Sequence, residues 1–214
     1  MRQKSHNEMK PSRQIDRRAN QKGRTRAALV AAAARLLVDG RRPTVAEAAE
    51  AAKISRATAY RYFATQDALL LEATEITPMV APIEAWLATL PASGTSETRL
   101  LELQQKFHRI LVEKEVPMRT ALRVYLDAWL GRQAAGEVAP AVRQGRRMQW
   151  LDVVLRPEDR KLGAAQKRRL HAALALTLGI DALVVMKDVC HLDDDEALNV
   201  LQWAARTLLQ SGAR

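Results

Sequence analysis

The sequence predicts an all-α protein with a small N-terminal domain of three helices, followed by a larger helical domain. Aromatic residues make up only 4% of the chain, while Ala, Leu and Arg are abundant. Ala, Leu and Arg enter a helix at little cost, whereas aromatic residues favour strands. Apolar residues recur at helical spacing, and no strand-like alternation of useful length appears. The hydrophobic fraction of 48% is sufficient for a packed core.

Positive charge is concentrated in the first third of the chain. Residues 1–70 carry 15 Lys and Arg against 6 Asp and Glu, while the rest of the chain carries 19 against 18. A basic module joined to a neutral body is typical of a protein that binds a polyanion, because phosphate neutralisation supplies most non-specific affinity. A basic tail that only improves solubility is the alternative.

The first 23 residues are polar and basic, and we interpret residues 1–23 as a flexible arm. Such an arm either reaches into a minor groove or makes no contact. From Arg24 to about Val38 the apolar residues fall on one face of a helix, and Gly40 ends it.

Three capping signals then predict three short helices. Thr44 and Glu47 form a Thr-x-x-Glu capping box, so a helix should begin at Val45. Ser55 is the N-cap of a second helix that ends near Tyr62, and Thr65 is the N-cap of a third.

The helix after Ser55 should have one buried and one outward face. Ala59 and Phe63 share the side that packs inward. Ala57 and Arg61 point the opposite way, and Thr58 and Tyr60 flank them. These side chains offer a guanidinium, a hydroxyl, a phenol and a methyl group, which suit base edges and phosphates.

The segment from Arg26 to Leu71 resembles the N-terminal signature of the tetracycline-repressor (TetR) family of transcriptional regulators. The matching positions are Ser55, Arg56, Thr58, Tyr60, Tyr62 and Phe63. The resemblance implies a helix-turn-helix DNA-binding domain over residues 24–71 and a regulatory and dimerisation domain over residues 72–214. Beyond residue 71 the resemblance is only architectural.

The chain departs from the family pattern at three positions. Lys53 stands where the family has glycine in the turn, and a positive φ there would cost roughly 1 kcal/mol. Ala57 replaces a glycine near the start of the second helix, which should stabilise that helix. Gln66 replaces a lysine that binds phosphate, so one charged contact is lost.

The resemblance implies a role in DNA binding for several residues. Thr44 should lie near a phosphate, and Arg56, Thr58 and Arg61 are candidates for contact with base edges. Tyr60, Tyr62, Lys53 and Gln66 are expected to bind phosphates, although Tyr60 is equally compatible with a partly buried core residue. The full predicted DNA-binding set is Thr44, Lys53, Ser55, Arg56, Ala57, Thr58, Tyr60, Arg61, Tyr62 and Gln66.

In the larger domain, prolines and glycines separate helical patterns near residues 83–90, 97–114, 118–131, 138–155, 164–188 and 194–210. The last two patterns carry long apolar stripes, which either form a four-helix dimer interface or belong to the core of one chain. The predicted interface residues are Leu170, Leu174, Leu178, Leu198, Leu201 and Ala205.

By analogy with the family, the middle helices should enclose a pocket for a small-molecule effector. The predicted lining residues are Trp86, Phe107, His108, Tyr125, Trp129 and Trp150. Aromatic residues at helical spacing are also the ordinary content of a core, so each of them has that second interpretation.

Other classes of protein find little support in the sequence. The polar N-terminus and the lack of an apolar run of ~20 residues predict a cytoplasmic protein with no membrane partner. The single Cys190 and the four histidines show no metal-ligand spacing. Acids after His191 are explained by the N-terminus of the last helix. No phosphate loop or nucleophile elbow is present, so neither an enzyme nor a cofactor is expected.

The expected function is therefore that of a homodimeric repressor that binds a near-palindromic operator in double-stranded DNA and is released by a small molecule. The main alternative is an architectural protein that binds DNA without sequence preference. A helical enzyme or ligand carrier with an incidental basic head is the second alternative.

Overall fold

The chain is all-α in the parts that its computed structural model describes, which are residues 12–76, 79–91, 94–136, 145–156 and 162–212. Every regular element in these ranges is a helix, which confirms the all-α part of the prediction. The elements are α1 Ser12–Val38, α2 Val45–Ala51, α3 Arg56–Tyr62, α4 Gln66–Ile76, α5 Ala81–Ala88, α6 Ser96–Glu113, α7 Glu115–Ala134, α8 Arg146–Val154, α9 Ala164–Ala175, α10 Ile180–Val184 with a π-helical turn Val185–Val189, and α11 Asp194–Gly212.

Several helix boundaries differ from the predicted ones. The helix predicted near residues 138–155 is described as Arg146–Val154, and residues 137–144 lie outside the described residues. Helix α1 begins at Ser12 rather than Arg24, and residues 1–11 of the predicted arm lie outside the described residues. Helix α7 begins at Glu115 rather than near residue 118. Pro117 fits in its first turn, because a backbone N–H in that turn has no helical partner and proline loses no hydrogen bond by lacking it. The predicted helix 164–188 is broken at Gly179, whose φ of 99° no regular helix contains.

Helices α1 to α4 surround a first apolar core. Helix α1 packs on α4 and α2, and α3 packs on α2 and α1. Val124 of α7 is the one residue of this cluster from outside α1–α4 among the described residues. The buried side chains of the cluster are Leu29, Val30, Ala33, Ala34, Leu37, Val45, Ala48, Ala49, Ala59, Phe63, Leu69, Leu70, Ala73 and Val124.

The second core lies among α5 to α11. Helix α6 packs on α11 and α8, and α9 packs on α8 and α11. The rings of Phe107 and Trp150 meet edge to face, with centroids 5.0 Å apart. Helices α9 and α11 run antiparallel. Near the start of α9, Gln166 Nε2 donates to the carbonyl of Gly212 at the end of α11, at 2.9 Å. Just after the end of α9, Thr177 contacts Gln104, which also contacts Leu201 of α11.

Most of the predicted dimer residues are buried within their own chain, which agrees with the alternative that the apolar stripes belong to the core of one chain. Four of the six belong to the second core of a single chain: Leu170, Leu174, Leu178 and Ala205. Leu198 and Leu201 are half-buried. Helical spacing identified an apolar stripe correctly, but the partner of that stripe is the same chain. The exposed apolar side chains of this region are Leu176, Val185, Val189, Val200 and Trp203.

Arg42 joins the first core to the rest of the molecule. Its Nη2 lies 2.9 Å from Asp67 of α4 and 3.0 Å from Asp127 of α7. Nearby, the Cα of Gly40 lies so close to Val116 that an added Cβ would be 2.6 Å from Cγ1 of Val116. The loop between α1 and α2 therefore lies directly on the first half of α7.

No helix in the described ranges has both the length and the apolar character needed to cross a membrane.

The acids after His191 lie at the start of α11, where Asp193 Oδ1 accepts from the backbone N–H of Glu196 at 2.9 Å. Their position matches the interpretation that they stabilise a helix N-terminus. Cys190 beside them is exposed.

Candidate nucleic-acid interface

Helix α2 begins at the predicted capping box, and this box uses the donors of Thr44. The backbone N–H of Thr44 donates to Glu47 Oε2 at 2.8 Å, and its hydroxyl donates to the same oxygen at 2.9 Å. Hydrogen bonds from the Thr44 backbone and hydroxyl, with Arg41 beside them, lower the pKa of the Glu47 carboxyl. Both donors of Thr44 therefore face a carboxylate in this structure, and its phosphate contact stays a prediction.

The turn from α2 to α3 has the backbone conformation that a glycine would favour. Lys53 has φ of 56°. Its N–H donates to the carbonyl of Glu50, and the N–H of Ile54 donates to that of Ala49 at 2.8 Å. These two bonds form a Schellman motif with Lys53 in the left-handed position. The predicted cost of Lys53 at this position depended on a positive φ, and the structure confirms that φ is positive.

Buried apolar side chains on one side of α3 and polar contacts at its two ends fix the position of this helix. Ala59 and Phe63 are buried, as their spacing predicts. Ser55 Oγ accepts from the N–H of Thr58 at 3.2 Å, which confirms the predicted cap. The guanidinium of Arg26 lies 4.5 Å from the ring centroid of Phe63 and pairs with Glu72. Arg26 therefore connects α1 to the ends of α3 and α4, and no sequence pattern indicated this.

The opposite side of α3 is exposed. Arg56, Ala57 and Arg61 are exposed, and Tyr60 is 50% exposed. No described residue makes a hydrogen bond or ion pair with the side chain of Arg56, Arg61 or Lys53. This surface, which we call the α3 face, carries two unpaired guanidinium groups, a phenol and a methyl group.

Two other predicted residues lie at the border of the α3 face. Thr58 is half-buried, and its Oγ1 accepts from Ser55 Oγ at 2.8 Å. Tyr62 is half-buried against the first core, and its backbone carbonyl accepts from Arg26. Both residues therefore contribute to the packing and capping of α3, and less of their surface is accessible than of Arg56 or Arg61.

Gln66 does not point its amide nitrogen to the outside. Its Nε2 donates to the carbonyls of Arg42 and Pro43 at 3.2 and 3.1 Å. In this arrangement both amide hydrogens are used, and the side chain fixes the start of α4 against the α1–α2 loop. The phosphate contact of Gln66 stays a prediction.

A cavity of about 180 Å³ lies at the second core, where residues of α4, α6, α7 and α8 meet. Three of the predicted lining residues line it: Phe107, Tyr125 and Trp150. Trp86 instead packs on the second core beside Lys106, and Trp129 is 50% exposed on α7. These two predictions are corrected, because aromatic type alone does not say on which side of a helix a residue lies.

The sequence reasoning missed other residues of the cavity wall. Thr74 is on α4, Met79 and Val80 precede α5, and Arg146 and Arg147 begin α8. Arg146 also donates to the backbone carbonyl of Glu75, and Arg147 pairs with Asp181. The cavity thus touches the end of the helix that follows the α3 face. His108 lines an adjoining smaller space.

Comparison with known proteins adds no assignment to this geometry. No model of a protein family matches the chain, and no curated protein matches it.

Proposed function

We propose that this protein is a DNA-binding transcriptional regulator of the TetR type, with a helix-turn-helix formed by α2 and α3. The observation that carries the proposal is the α3 face. Arg56 and Arg61 stand unpaired on it, while buried Ala59 and Phe63 hold the helix against α1 and α2. A rigid helix with exposed cationic and hydrogen-bonding side chains suits the major groove.

Charge supports the same proposal. The first 70 residues hold nearly all of the net charge of +10. The donors of Thr44 and Gln66 have partners within the protein, while Lys53 at the turn has an exposed ammonium that no described residue pairs with. Phosphate binding then depends on Lys53, Arg56 and the other cations near the N-terminus.

The regulator would act as a homodimer on a near-palindromic operator, with one α3 in each of two successive major grooves. Support for a dimer comes from apolar surface that no described part of the chain covers. Trp203 is 66% and Leu176 is 77% exposed on the antiparallel pair α9 and α11, and Val200 is 40% exposed. A second copy would bury these side chains across a two-fold axis.

The cavity would hold the effector that releases the repressor from DNA. Thr74 of α4 and Tyr125 of α7 both line it, and α4 packs on α1 and α7. An effector that fits the cavity better when α4 is displaced would favour the conformation with weak DNA affinity. A small molecule that binds the cavity and leaves operator affinity unchanged would contradict this part of the proposal.

The test of DNA binding is a fluorescence-anisotropy titration with DNA from the region that flanks the protein's own gene. A shuffled duplex at the same salt concentration is the control. We expect at least ~10³-fold tighter binding to the native sequence, with two protomers at each site. Equal and salt-sensitive binding to both duplexes would favour the architectural alternative, and no binding at low salt would favour an enzyme or carrier.

Substitution of Arg61 tests the α3 face itself. Arg61→Ala should reduce the ratio of operator to random-DNA affinity by roughly tenfold or more, because a guanidinium contact to a base edge is worth ~1–3 kcal/mol. Arg109→Ala on α6 is the matched control, since it removes an exposed arginine outside the α3 face. An unchanged ratio in Arg61→Ala would remove this residue from the reading surface.

A further inference from the structure

A second and much smaller chamber adjoins the cavity. Its volume is about 10 Å³, against about 180 Å³ for the cavity. The two spaces share Phe107, Leu111 and Gly179 in their walls. On the far side of this shared wall, the chamber is lined by Gln104 and His108 of α6 and by Thr177.

Three buried polar atoms of the residues that line this chamber have no hydrogen-bond partner among the described residues. Gln104 is 3% exposed and His108 is 8% exposed. The amide nitrogen of Gln104 donates to Thr177 Oγ1 at 3.0 Å and to the carbonyl of Leu201 at 3.1 Å. In contrast, Gln104 Oε1 and both imidazole nitrogens of His108 have no hydrogen-bond partner among the described residues. Buried polar groups are nearly always paired, so these atoms indicate a missing partner.

The size of the chamber limits that partner to a single oxygen atom. A space of ~10–15 Å³ on this measure holds about one water molecule, and a carboxylate or phosphate is larger. A hydroxyl group has the size of a water oxygen, and it can both donate and accept. It could donate to Gln104 Oε1 or to a His108 nitrogen, and it could accept from the imidazole N–H.

The cavity on the other side of the wall suits an aromatic body. A cavity of ~150 Å³ has room for benzene, so the volume of this one suits a molecule of about one or two rings. Phe107 and Trp150 offer ring edges and faces, and Met79 and Met118 offer sulfur atoms that contact rings favourably.

We propose that the cavity binds a flat and largely apolar molecule of one or two rings that carries a hydroxyl group, with the rings in the cavity and the hydroxyl in the chamber, bonded to His108 and Gln104. Side-chain rotation of Phe107 and Leu111 opens the shared wall for the hydroxyl. The inference rests on the proposed function only where it takes this molecule to be the effector that acts on DNA binding.

The test is equilibrium dialysis of the whole protein against 2-naphthol and against naphthalene, which has the same rings and no hydroxyl. Transfer out of water alone favours naphthalene, because a hydroxyl loses hydrogen bonds to water. We expect 2-naphthol to bind at least about tenfold more tightly. Equal binding, tighter binding of naphthalene, or no binding of 2-naphthol would overturn the proposal, and the last outcome would leave a buried water as the partner.

His108→Leu removes the imidazole while it keeps a side chain of similar volume. No internal hydrogen bond of His108 is lost, so thermal unfolding should show a stable protein, while the preference for 2-naphthol should fall to one or below. His108→Phe, which keeps an aromatic ring, should lose the preference in the same way. Gln105→Leu is the matched control on the exposed side of α6 and should keep it.

If both His108 variants keep the tenfold preference, the hydroxyl does not lie in this chamber and the proposal fails. Dialysis contains no DNA, so a failure here leaves the DNA-binding proposal intact. Conversely, absent operator binding leaves the ligand preference unaffected.

Discussion

Lys53 has a backbone conformation that favours glycine, while its side chain carries an exposed positive charge. Its φ of 56° is a conformation in which a side chain is strained and glycine is not. Its ammonium group is exposed beside the α3 face, and no described residue pairs with it. An exposed positive charge is therefore present at a position where glycine would give a more stable fold.

Lys53→Gly should raise the free energy of unfolding by roughly 1 kcal/mol, because it relieves the left-handed strain. It should also weaken binding to random DNA and reduce the dependence of that binding on salt, since one cation is removed. Chemical denaturation and anisotropy titrations measure the two effects. Lys53→Ala is the control: it removes the charge but keeps the strain, so a gain in stability like that of glycine would contradict the explanation.

Thr44 and Gln66 show that the type of a side chain does not determine which group it contacts. Both residue types suit phosphate contact, and both are occupied by partners within the protein. The partner of Thr44 is three residues away, and a capping box was visible in the sequence. The partners of Gln66 are the carbonyls of Arg42 and Pro43, and no spacing rule connects them to it.

Among the elements, α7 is the one that contacts both cores. Val124 lies in the first core and Ala121 in the second. The α1–α2 loop rests on this helix through Gly40 and Val116, and through the pair of Arg42 with Asp127. A shift of α7 at the cavity would therefore reach the helices that carry the α3 face.

Gly40→Ala tests this contact. The substitution adds strain at φ of 74° and places a Cβ 2.6 Å from Val116 Cγ1. We expect a loss of about 2 kcal/mol or more in the free energy of unfolding. In a Val116→Ala background the loss should fall to about 1 kcal/mol, because only the strain remains. Equal losses in the two backgrounds, measured by urea denaturation, would show that the helix-to-loop contact does not matter.

In the whole molecule, a network of ion pairs connects elements that lie far apart in the second half of the chain. Glu115 of α7 pairs with Arg119 and Lys187, both at 2.8 Å. Arg119 also pairs with Asp188, and Lys187 with Asp194 of α11. The network connects α7, the π-helical turn and α11. Hydrogen bonds from Lys187 and then from Arg119 lower the pKa of the Glu115 carboxyl from its ordinary value of 4.5.

This lowered pKa predicts a dependence of stability on pH. The stabilisation by Glu115 is complete above the carboxyl's ordinary pKa and is lost as pH falls through its lower pKa in the folded state. Glu115→Gln should therefore be less stable than the natural protein by about 1 kcal/mol near pH 7, and the difference should shrink below about pH 4. Urea denaturation at several pH values measures this. Glu113→Gln should show no such trend, and a difference for Glu115→Gln that stays constant with pH would contradict the network.

The proposed assembly gives a further prediction at this scale. Trp203→Lys places a charge in the apolar surface of α11 and should convert a dimer to a monomer at micromolar concentration, as measured by sedimentation equilibrium. Trp129→Lys is the matched control, since Trp129 is 50% exposed on α7. A natural protein that is already monomeric would contradict the dimer, and a dimeric Trp203→Lys would place its interface elsewhere.

Local chemistry in the sequence was enough to predict the helices, the caps at Thr44, Ser55 and Thr65, and the inward side of α3. Each of these depends on residues within one or two turns of one another, and helical periodicity fixes the relative direction of their side chains. The concentration of positive charge likewise requires no coordinates.

Tertiary structure alone decided which partner each surface meets. Periodicity shows that Leu174 lies on an apolar stripe, but only packing shows that this stripe belongs to the chain's own core while Leu176, two residues later, is 77% exposed. The cavity forms where residues from α4 to α10 meet, and Arg42 pairs with a carboxylate 85 residues away. Such contacts depend on how helices pack, and a repeat within one helix carries no information about the helix that lies against it.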